Sequence, residues 1–170
     1  TEEYEYVLDG PDVTAEIKIW NVEDDRVLHR LQNHSLHNSV PFHQDGWRLA
    51  SASRDNGIEI WDVKSRRPLF ILRDGNAWPL SIGYSPDGRK LAAGESYIKT
   101  RDPSEKTETG LQIKIWDVES RRVIHTLQLD GTGGPKLLVF SPDGRKLASA
   151  RYGDENVVLW DVESGLVIHT

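Results

Sequence analysis

One short segment recurs four times along the chain and constrains its fold more than any other feature. The copies are IKIWNVE at residues 17–23, IEIWDVK at 58–64, IKIWDVE at 113–119 and VVLWDVE at 157–163. Their tryptophans are 41, 55 and 44 residues apart, at Trp20, Trp61, Trp116 and Trp160. A period near 40 residues is typical of repeats that stack on one another, because a single repeat cannot bury its apolar face alone. We therefore expect a series of similar units, with an insertion in the wide interval.

A second element recurs in the same phase and indicates hairpins. It reads FHQDGWRLASAS from residue 42, YSPDGRKLAAGE from 84 and FSPDGRKLASAR from 140. Each Asp-Gly pair suits a tight turn, because glycine tolerates positive φ and the carboxylate can accept backbone hydrogen bonds. Alternating residues such as Ile58, Glu59 and Ile60 have the period of a strand. The sequence predicts four antiparallel strands a to d per unit, in the third unit at residues 80–84, 90–94, 111–116 and 123–127.

Composition excludes several classes of protein. With 37% hydrophobic and 28% charged residues the chain has a globular composition, and it lacks the roughly 18 unbroken apolar residues of a membrane helix. The first residues, TEEYEYVLDG, are too acidic for a signal or transit peptide. A net charge of −6 opposes nucleic-acid binding, and the absence of cysteine removes disulfides and thiolate metal sites. We expect no membrane insertion and no nucleic-acid partner.

The tryptophan segments and the SPDGRKLA hairpins together resemble the WD40 repeat family, from about Glu16 onward. The resemblance implies an all-β fold of WD40-type β-propeller blades, with strand a at a central channel. We expect about 3.5 to 4 four-stranded antiparallel blades, a partial ring. The predicted boundaries are a partial blade at 1–31, a blade at 32–72, a blade with a b–c insert at 73–127 and a blade at 128–170.

Many blades of the family carry a buried hydrogen-bonded tetrad of histidine, serine or threonine, aspartate and the strand c tryptophan. The resemblance assigns these structural roles to Ser51, Asp55 and Trp61 in the second blade and to Ser149, Asp154 and Trp160 in the fourth. The candidate histidine of the second blade is His34, placed in the d–a loop, whereas the third blade has Ala93 at the serine position. Each missing bond forfeits about 0.5–1.5 kcal/mol, so apolar packing must hold those blades together.

The titratable residues do not form a catalytic or metal-binding pattern. His29, His125 and His169 each follow their tryptophan by nine residues, so we interpret them as repeated strand d positions. The aspartates recur in phase and serve turns. No nucleophile elbow, HExxH or phosphate loop is present. We predict no catalytic residues, no metal site and no cofactor, with a propeller hydrolase as a remote alternative.

Features that do not repeat are better candidates for a function. Trp47 replaces an arginine of the DGRK copies, and Trp78 lies where loop d–a enters strand a. Residues 1–15 and 97–111 both extend b–c connections, which share one end of the blades with the d–a loops. Our candidate partner-binding residues at this end are Tyr4, Tyr6, Arg54, Trp78, Tyr97, Arg101 and Tyr152. The alternative is that Trp78 packs on a neighbouring blade and that long hairpins vary freely on a rigid scaffold.

These observations favour a non-catalytic WD40 scaffold that binds a protein or peptide, as a portion of a larger propeller or multidomain protein. The alternative is a structural subunit that closes a ring by homodimerisation or within a larger assembly. Both follow from the expectation that half a ring would expose sheet faces and unpaired edges. Three solutions remain open: a longer polypeptide, a cleaved chain held by its other half, or self-association of two copies.

Overall fold

In a computed structural model, residues 15–34, 40–53, 57–75, 77–98, 109–129, 133–153 and 155–170 are described. All regular secondary structure in these ranges is β-strand, so they contain no helix that is long and apolar enough to cross a membrane. The all-β prediction is confirmed. The strands are β1 (Ala15–Asn21), β2 (Arg26–His34), β3 (Arg48–Ser53), β4 (Gly57–Asp62), β5 (Arg67–Leu72), β6 (Trp78–Tyr84), β7 (Lys90–Ile98), β8 (Thr109–Asp117), β9 (Arg122–Leu129), β10 (Pro135–Phe140), β11 (Lys146–Arg151), β12 (Val157–Asp161) and β13 (Val167–His169).

Strands that follow one another in sequence pair antiparallel, giving a five-stranded sheet β1–β5 and the four-stranded sheets β6–β9 and β10–β13. In the first, the hairpin β1–β2 meets β3–β5 at the pair His34↔Ser53. His34 is thus the last residue of a strand, and our placement of it in the d–a loop was wrong. Before β3, the chain forms an isolated bridge, Phe42↔Leu49, where a full strand a was expected.

The insertion of the third repeat begins as a continuation of its hairpin. Strands β7 and β8 extend to the pair Ile98↔Thr109, beyond the predicted strand ends at Gly94 and Leu111. Residues 99–108 lie outside the described part of the chain. The described residues at both ends of the insert therefore belong to one two-stranded ribbon.

The Asp-Gly pairs form the hairpin turns that the sequence predicts. Gly46, Gly88 and Gly144 have φ of +72°, +67° and +70°, in the left-handed region that glycine adopts without strain. Asp87 accepts hydrogen bonds from the Ser85 hydroxyl at 2.6 Å and the Arg89 amide at 3.1 Å. The turn aspartates therefore serve the local backbone.

The sheets stack with one orientation, because each has a tryptophan-bearing face and an opposite face of isoleucine and alanine. Alternate strand residues point to opposite faces, so the two sets cannot mix. Trp116 and Leu91 of sheet β6–β9 pack on Ile58 and Ile60 of the sheet before it. The junction of the last two sheets repeats this contact, since Trp160 and Leu147 pack with Ile113 and Ile115. Within the first sheet, Leu49 and Val63 pack in the same way on Ile17 and Ile19 of the β1–β2 hairpin. Each isoleucine buried in this way contributes about 1.5–3 kcal/mol.

The inner strands approach most closely at the junction of the last two sheets. A Cβ on Gly83 of β6 would lie 2.9 Å from the Leu138 carbonyl oxygen of β10, and one on Gly94 would lie 2.4 Å from Pro135 Cβ. Only glycine fits at such distances. The small residues therefore allow adjacent sheets to converge along one side, as in the radial arrangement of propeller blades.

Sheet β10–β13 exposes the face that is buried in the sheets before it. Val157 lies three residues before its tryptophan and is 53% exposed, whereas Ile58 and Ile113 at the same repeat position are 1% and 0% exposed. Leu137 and Val139 on the inner strand are 54% and 50% exposed. This apolar face, formed by Leu137, Val139 and Val157, is called the terminal face below.

Candidate functional site

The antiparallel order of strands divides the loops between two ends of the stack. Connections between sheets, and those between the second and third strand of a sheet, share one end, called the upper rim. The Asp-Gly hairpins and the turns after each tryptophan strand share the opposite end, the lower rim. Loops on a rigid scaffold are the usual place for binding residues. Of the candidate partner-binding residues, Trp78, Tyr97 and Tyr152 are described, and they lie at the upper rim.

Trp78 and Tyr97 occupy the upper end of sheet β6–β9. Trp78 begins β6, pairs with Ser96 and is 40% exposed. Tyr97 pairs with Gly110, and its ring lies where a Cβ on that glycine would be, 2.3 Å from Cζ. Its hydroxyl donates a hydrogen bond to Gln128 Oε1 at 3.0 Å. Tyr97 is therefore held against its own sheet, whereas part of the Trp78 ring is available to a partner.

Tyr152 is the most exposed of the described candidates, at 60%, and lies at the upper end of sheet β10–β13. Its amide donates to the Gly134 carbonyl at 3.1 Å, and its own carbonyl lies 2.0 Å from where a Cβ on Gly133 would be. Gly133 has a φ of +108°, which a residue with a side chain rarely adopts. The Lys136 ammonium lies 5.4 Å from the Tyr152 ring centroid. The loop thus fixes the backbone of Tyr152 and leaves its ring in solvent.

The remaining predicted site residues lie outside the described part of the chain. They are the candidate binding residues Tyr4, Tyr6, Arg54 and Arg101 and the tetrad aspartates Asp55 and Asp154. Their assignments stay predictions.

The tryptophans of the repeat have different polar environments. Trp160 Nε1 donates to the Ser149 hydroxyl at 2.9 Å inside the core. Trp61 Nε1 donates instead to the Glu59 carboxylate at 2.7 Å. Trp116 Nε1 is buried with no hydrogen-bond partner among the described residues, and the matching position on the neighbouring strand is Ala93. Trp20 is half-buried on β1. Ser51 is 1% exposed on β3.

A buried charged cluster that the sequence analysis did not predict lies beside Trp116. Lys114 is on the tryptophan face of β8, and its ammonium lies 3.0 Å from the Asp74 carboxylate and 3.5 Å from that of Glu95. It also donates to the Asp74 carbonyl at 2.6 Å. Gln112 Nε2 donates to Glu95 at 2.9 Å. The cluster ties the loop between two sheets to the core at the upper rim.

Burial dominates the electrostatics of this cluster. The side chains of Lys114 and Glu95 are 7% and 5% exposed, whereas that of Asp74 is 57% exposed. Burial raises the pKa of the Glu95 carboxyl, and the nearby Lys114 charge opposes that rise without cancelling it. The signal available in the sequence was a glutamate and a lysine at core-facing positions of paired strands. Without the register of β7 and β8, they resemble ordinary surface residues.

Histidines recur at the outer edge of the stack. His29, His125 and His169 pair with Ile19, Ile115 and Leu159 at equivalent positions of three strand pairs. Within the described ranges, no three histidine or acidic side chains are grouped closely enough to hold a metal ion. The two described junctions use this position differently. His125 Nε2 lies 2.9 Å from the Glu163 carbonyl of the next sheet, and Phe70 lies beneath the Arg121 guanidinium at 4.3 Å.

The stacked antiparallel sheets, with a tryptophan at the same place in each repeat, define a set of WD40-type propeller blades. The family model for the WD domain, G-beta repeat, matches residues 25–62 and 124–161. The two matched segments are therefore similar to WD40 repeats, as the resemblance predicted.

Known proteins similar to the chain include one that is named for WD repeats. The chain is 28% identical to the small ribosomal subunit protein RACK1y of Oryza sativa subsp. japonica over 85% of this chain and 40% of that protein. It is 27% identical to the WD repeat-containing protein slp1 of Schizosaccharomyces pombe over 77% of this chain and 26% of that protein. The chain thus spans less than half the length of these relatives.

Among solved structures, the chain is similar to a chain of Kuenenia stuttgartiensis hydrazine synthase, with a TM-score of 0.69. The match covers 96% of this chain and 47% of the other, at 18% sequence identity. At that identity the similarity establishes the fold alone.

Proposed function

We propose that the chain is a non-catalytic scaffold that presents its upper rim to a protein or peptide. The observation that carries the proposal is the pair of aromatic residues Trp78 and Tyr152, which are exposed on rigidly held backbone at the same end of neighbouring sheets. Tryptophan and tyrosine supply large contact area at low entropic cost and dominate binding hot spots. Similarity to WD-repeat proteins supports this role.

The described residues also favour binding over catalysis. A catalytic set needs groups that meet at one point, with pKa values tuned for proton transfer. The carboxyls with a lowered pKa in this chain are turn aspartates such as Asp87, whose Ser85 hydrogen bond is the main cause of the shift. Glu95, whose pKa burial raises, is enclosed with Lys114 and Gln112. These shifts accompany structural roles.

Affinity purification with matched variants tests the proposal. A double variant, Trp78→Ala with Tyr152→Ala, should lose partners that the wild-type protein retains. Leu69→Ala provides the control, because Leu69 is 45% exposed on the outer strand β5, away from the upper rim. Loss of the same partners in the control, or retention of all of them in the double variant, would contradict binding at this rim.

The exposed terminal face supports a second candidate function. In it the chain is a structural subunit that packs this face against a second copy of the chain. Every described junction between sheets buries the corresponding positions, so the terminal face continues an established mode of packing. Light scattering distinguishes the states, since a dimer has twice the 19.3 kDa mass of one chain. Val139→Glu should then convert dimer to monomer. A wild-type protein that is monomeric at all concentrations would exclude this candidate.

A further inference from the structure

A cavity of about 790 Å³, called the β2 cavity below, opens at the outer edge of the stack. It is lined by residues 27–31 of strand β2 together with Trp61 and Arg66. Arg66 belongs to the turn after a tryptophan strand, so the cavity lies away from the upper rim that holds Trp78 and Tyr152. A volume of this size accommodates a small molecule. The proposed scaffold function does not account for it.

The two positions that face each other across the β2 cavity make contact at both junctions between sheets. Arg66 and Arg121 each follow their tryptophan by five residues and have a φ of +59°. At its own junction, the Arg121 guanidinium lies 4.3 Å from the Phe70 ring centroid. At the next junction glycine replaces the arginine, and His125 Nε2 lies 2.9 Å from the Glu163 carbonyl oxygen. Each of these contacts joins one sheet to the next.

His29 and Arg66 occupy these two positions in the β2 cavity and are not engaged in this way. His29 is half-buried, and its Nδ1 is covered from solvent with no hydrogen-bond partner among the described residues. Arg66 is exposed and forms no ion pair within the described ranges. Burial and the Arg66 charge both lower the pKa of His29, so the ring is neutral at pH 7. The charge on Arg66 is therefore unmatched.

The unmatched charge of the β2 cavity selects the charge of its ligand. Arg30, the other lining arginine, is paired with Glu16 at 2.8 Å, and no described lining residue is acidic. Glu59 lies outside the lining, where it accepts a hydrogen bond from Trp61 Nε1 at 2.7 Å. One guanidinium balances one carboxylate, whereas a phosphate monoester carries about 1.5–2 negative charges. A monocarboxylate therefore matches this cavity.

The rest of the lining is apolar. On β2 it consists of Val27, Leu28 and Leu31. Across from them, Trp61 is half-buried, whereas Trp116 and Trp160 at the same repeat position are 2% and 6% exposed. Part of the Trp61 ring is therefore open to the cavity. An apolar wall with a few polar groups is the usual composition of a small-molecule site.

We propose that the β2 cavity binds a small molecule in which one carboxylate is attached to an apolar body. The carboxylate pairs with the Arg66 guanidinium, whose planar fork suits bidentate pairing. The apolar body lies between the Trp61 ring and the leucines of β2. The site is independent of the scaffold function, because neither Arg66 nor Trp61 belongs to the upper rim or to the terminal face.

NMR titration of the intact protein with naphthylacetate tests the proposal. The indole N–H signal of Trp61, assigned with Trp61→Phe, should shift and saturate as the ligand is added. Naphthylacetamide has the same shape without the charge, so it measures the contribution of the carboxylate. We expect the amide to bind about tenfold more weakly, since a hydrogen bond to a charged group is stronger than a neutral one.

Two variants at one repeat position separate the site from general charge attraction. Arg66→Gln should abolish the preference for naphthylacetate over the amide. Arg121→Gln is the matched control, because both arginines have the same φ of +59° and the same place after their tryptophans. It should keep the preference. His29→Phe should weaken naphthylacetate binding about tenfold, because it introduces the ring on which the guanidinium lies at the next junction.

Three outcomes would overturn the proposal. The first is the absence of a saturable shift with naphthylacetate at millimolar concentration. The second is an equal loss of preference in both arginine variants, which indicates general charge attraction. The third is a set of shifts confined to the terminal face, around Val139 and Val157, which indicates adsorption on exposed apolar surface. None of these outcomes affects the test of Trp78 and Tyr152, so the two sites succeed or fail separately.

Discussion

The hydrogen bond of the repeat tryptophan can be tested quantitatively, because one sheet has a serine at the acceptor position where another has an alanine. Trp160 donates to Ser149 at 2.9 Å, and both residues are less than 10% exposed. Trp116 is in the same register opposite Leu91, but its neighbour is Ala93 and its Nε1 has no partner in the described part of the chain. We predict that Ser149→Ala destabilises the fold and that Ala93→Ser stabilises it.

The magnitudes follow from desolvation. Ser149→Ala leaves a buried indole N–H without an acceptor, which costs about 1–3 kcal/mol. In Ala93→Ser, the Trp116 indole is already removed from water, so the new hydrogen bond should contribute about 0.5–1.5 kcal/mol. The cost of burying the serine hydroxyl is subtracted from this gain. For a chain of this size, 1 kcal/mol changes the melting temperature by about 2–4 °C.

Urea and thermal unfolding of the wild type and the two variants provide the measurement. A double-mutant cycle with Trp160→Phe isolates the bond, because phenylalanine removes the N–H and keeps much of the apolar surface. Ser149→Ala should cost less in the phenylalanine background than in the wild type. An equal cost in both backgrounds would show that the Ser149 contact contributes nothing, and destabilisation by Ala93→Ser would refute the reasoning for Trp116.

Three further predictions concern hairpins and buried charge. Gly88→Ala should destabilise the fold more than Gly46→Ala, because both glycines have positive φ but only Gly88 faces the His43 ring. In unfolding measurements, adding His43→Ser to Gly88→Ala should restore part of the lost stability. Burial raises the pKa of Glu95 above its ordinary 4.5, so near this pH the folded state binds more protons than the unfolded state. The free energy of unfolding should therefore fall as the pH rises through that range. Glu95→Gln should abolish this dependence when unfolding is measured against pH. Burial acts to raise the pKa of Asp45, but the hydrogen bonds of its turn lower the pKa by more than burial raises it. The contribution of Asp45 to stability is therefore present above pH 3.8 and is lost as the pH falls below that value. Asp45→Asn should lose less stability than the wild type when the pH is lowered in unfolding experiments.

The fold was predictable because its signals are local and repeated. Each Asp-Gly turn sets the register of two strands, and each tryptophan marks the next strand, so strands β6 to β9 were predicted closely. Errors arose where the chain leaves the repeat. His34 extends β2 because its backbone pairs with Ser53 of a strand that sequence periodicity does not link to it.

The candidate sites were less predictable because they depend on contacts between sheets. Lys114 and Glu95 are 19 residues apart, and their charges become buried only when the preceding sheet β1–β5 covers the tryptophan face. His43 resembled a substitution at a hairpin tip, yet it fills the space that Gly88 of another sheet leaves. Periodicity identifies which face a residue occupies, but not which side chain of the neighbouring sheet meets it.

The one-sided stacking of the sheets links stability to partner binding. Each junction joins a tryptophan face to an isoleucine face, so every sheet satisfies one neighbour and requires another. Where the neighbour is present, Ile113 and Ile115 are fully buried, whereas Val157 on the terminal face is 53% exposed. Covering such a face contributes favourable free energy in proportion to its apolar area. Whatever packs against the terminal face therefore stabilises the sheets that hold Tyr152 in place, and through them the upper rim.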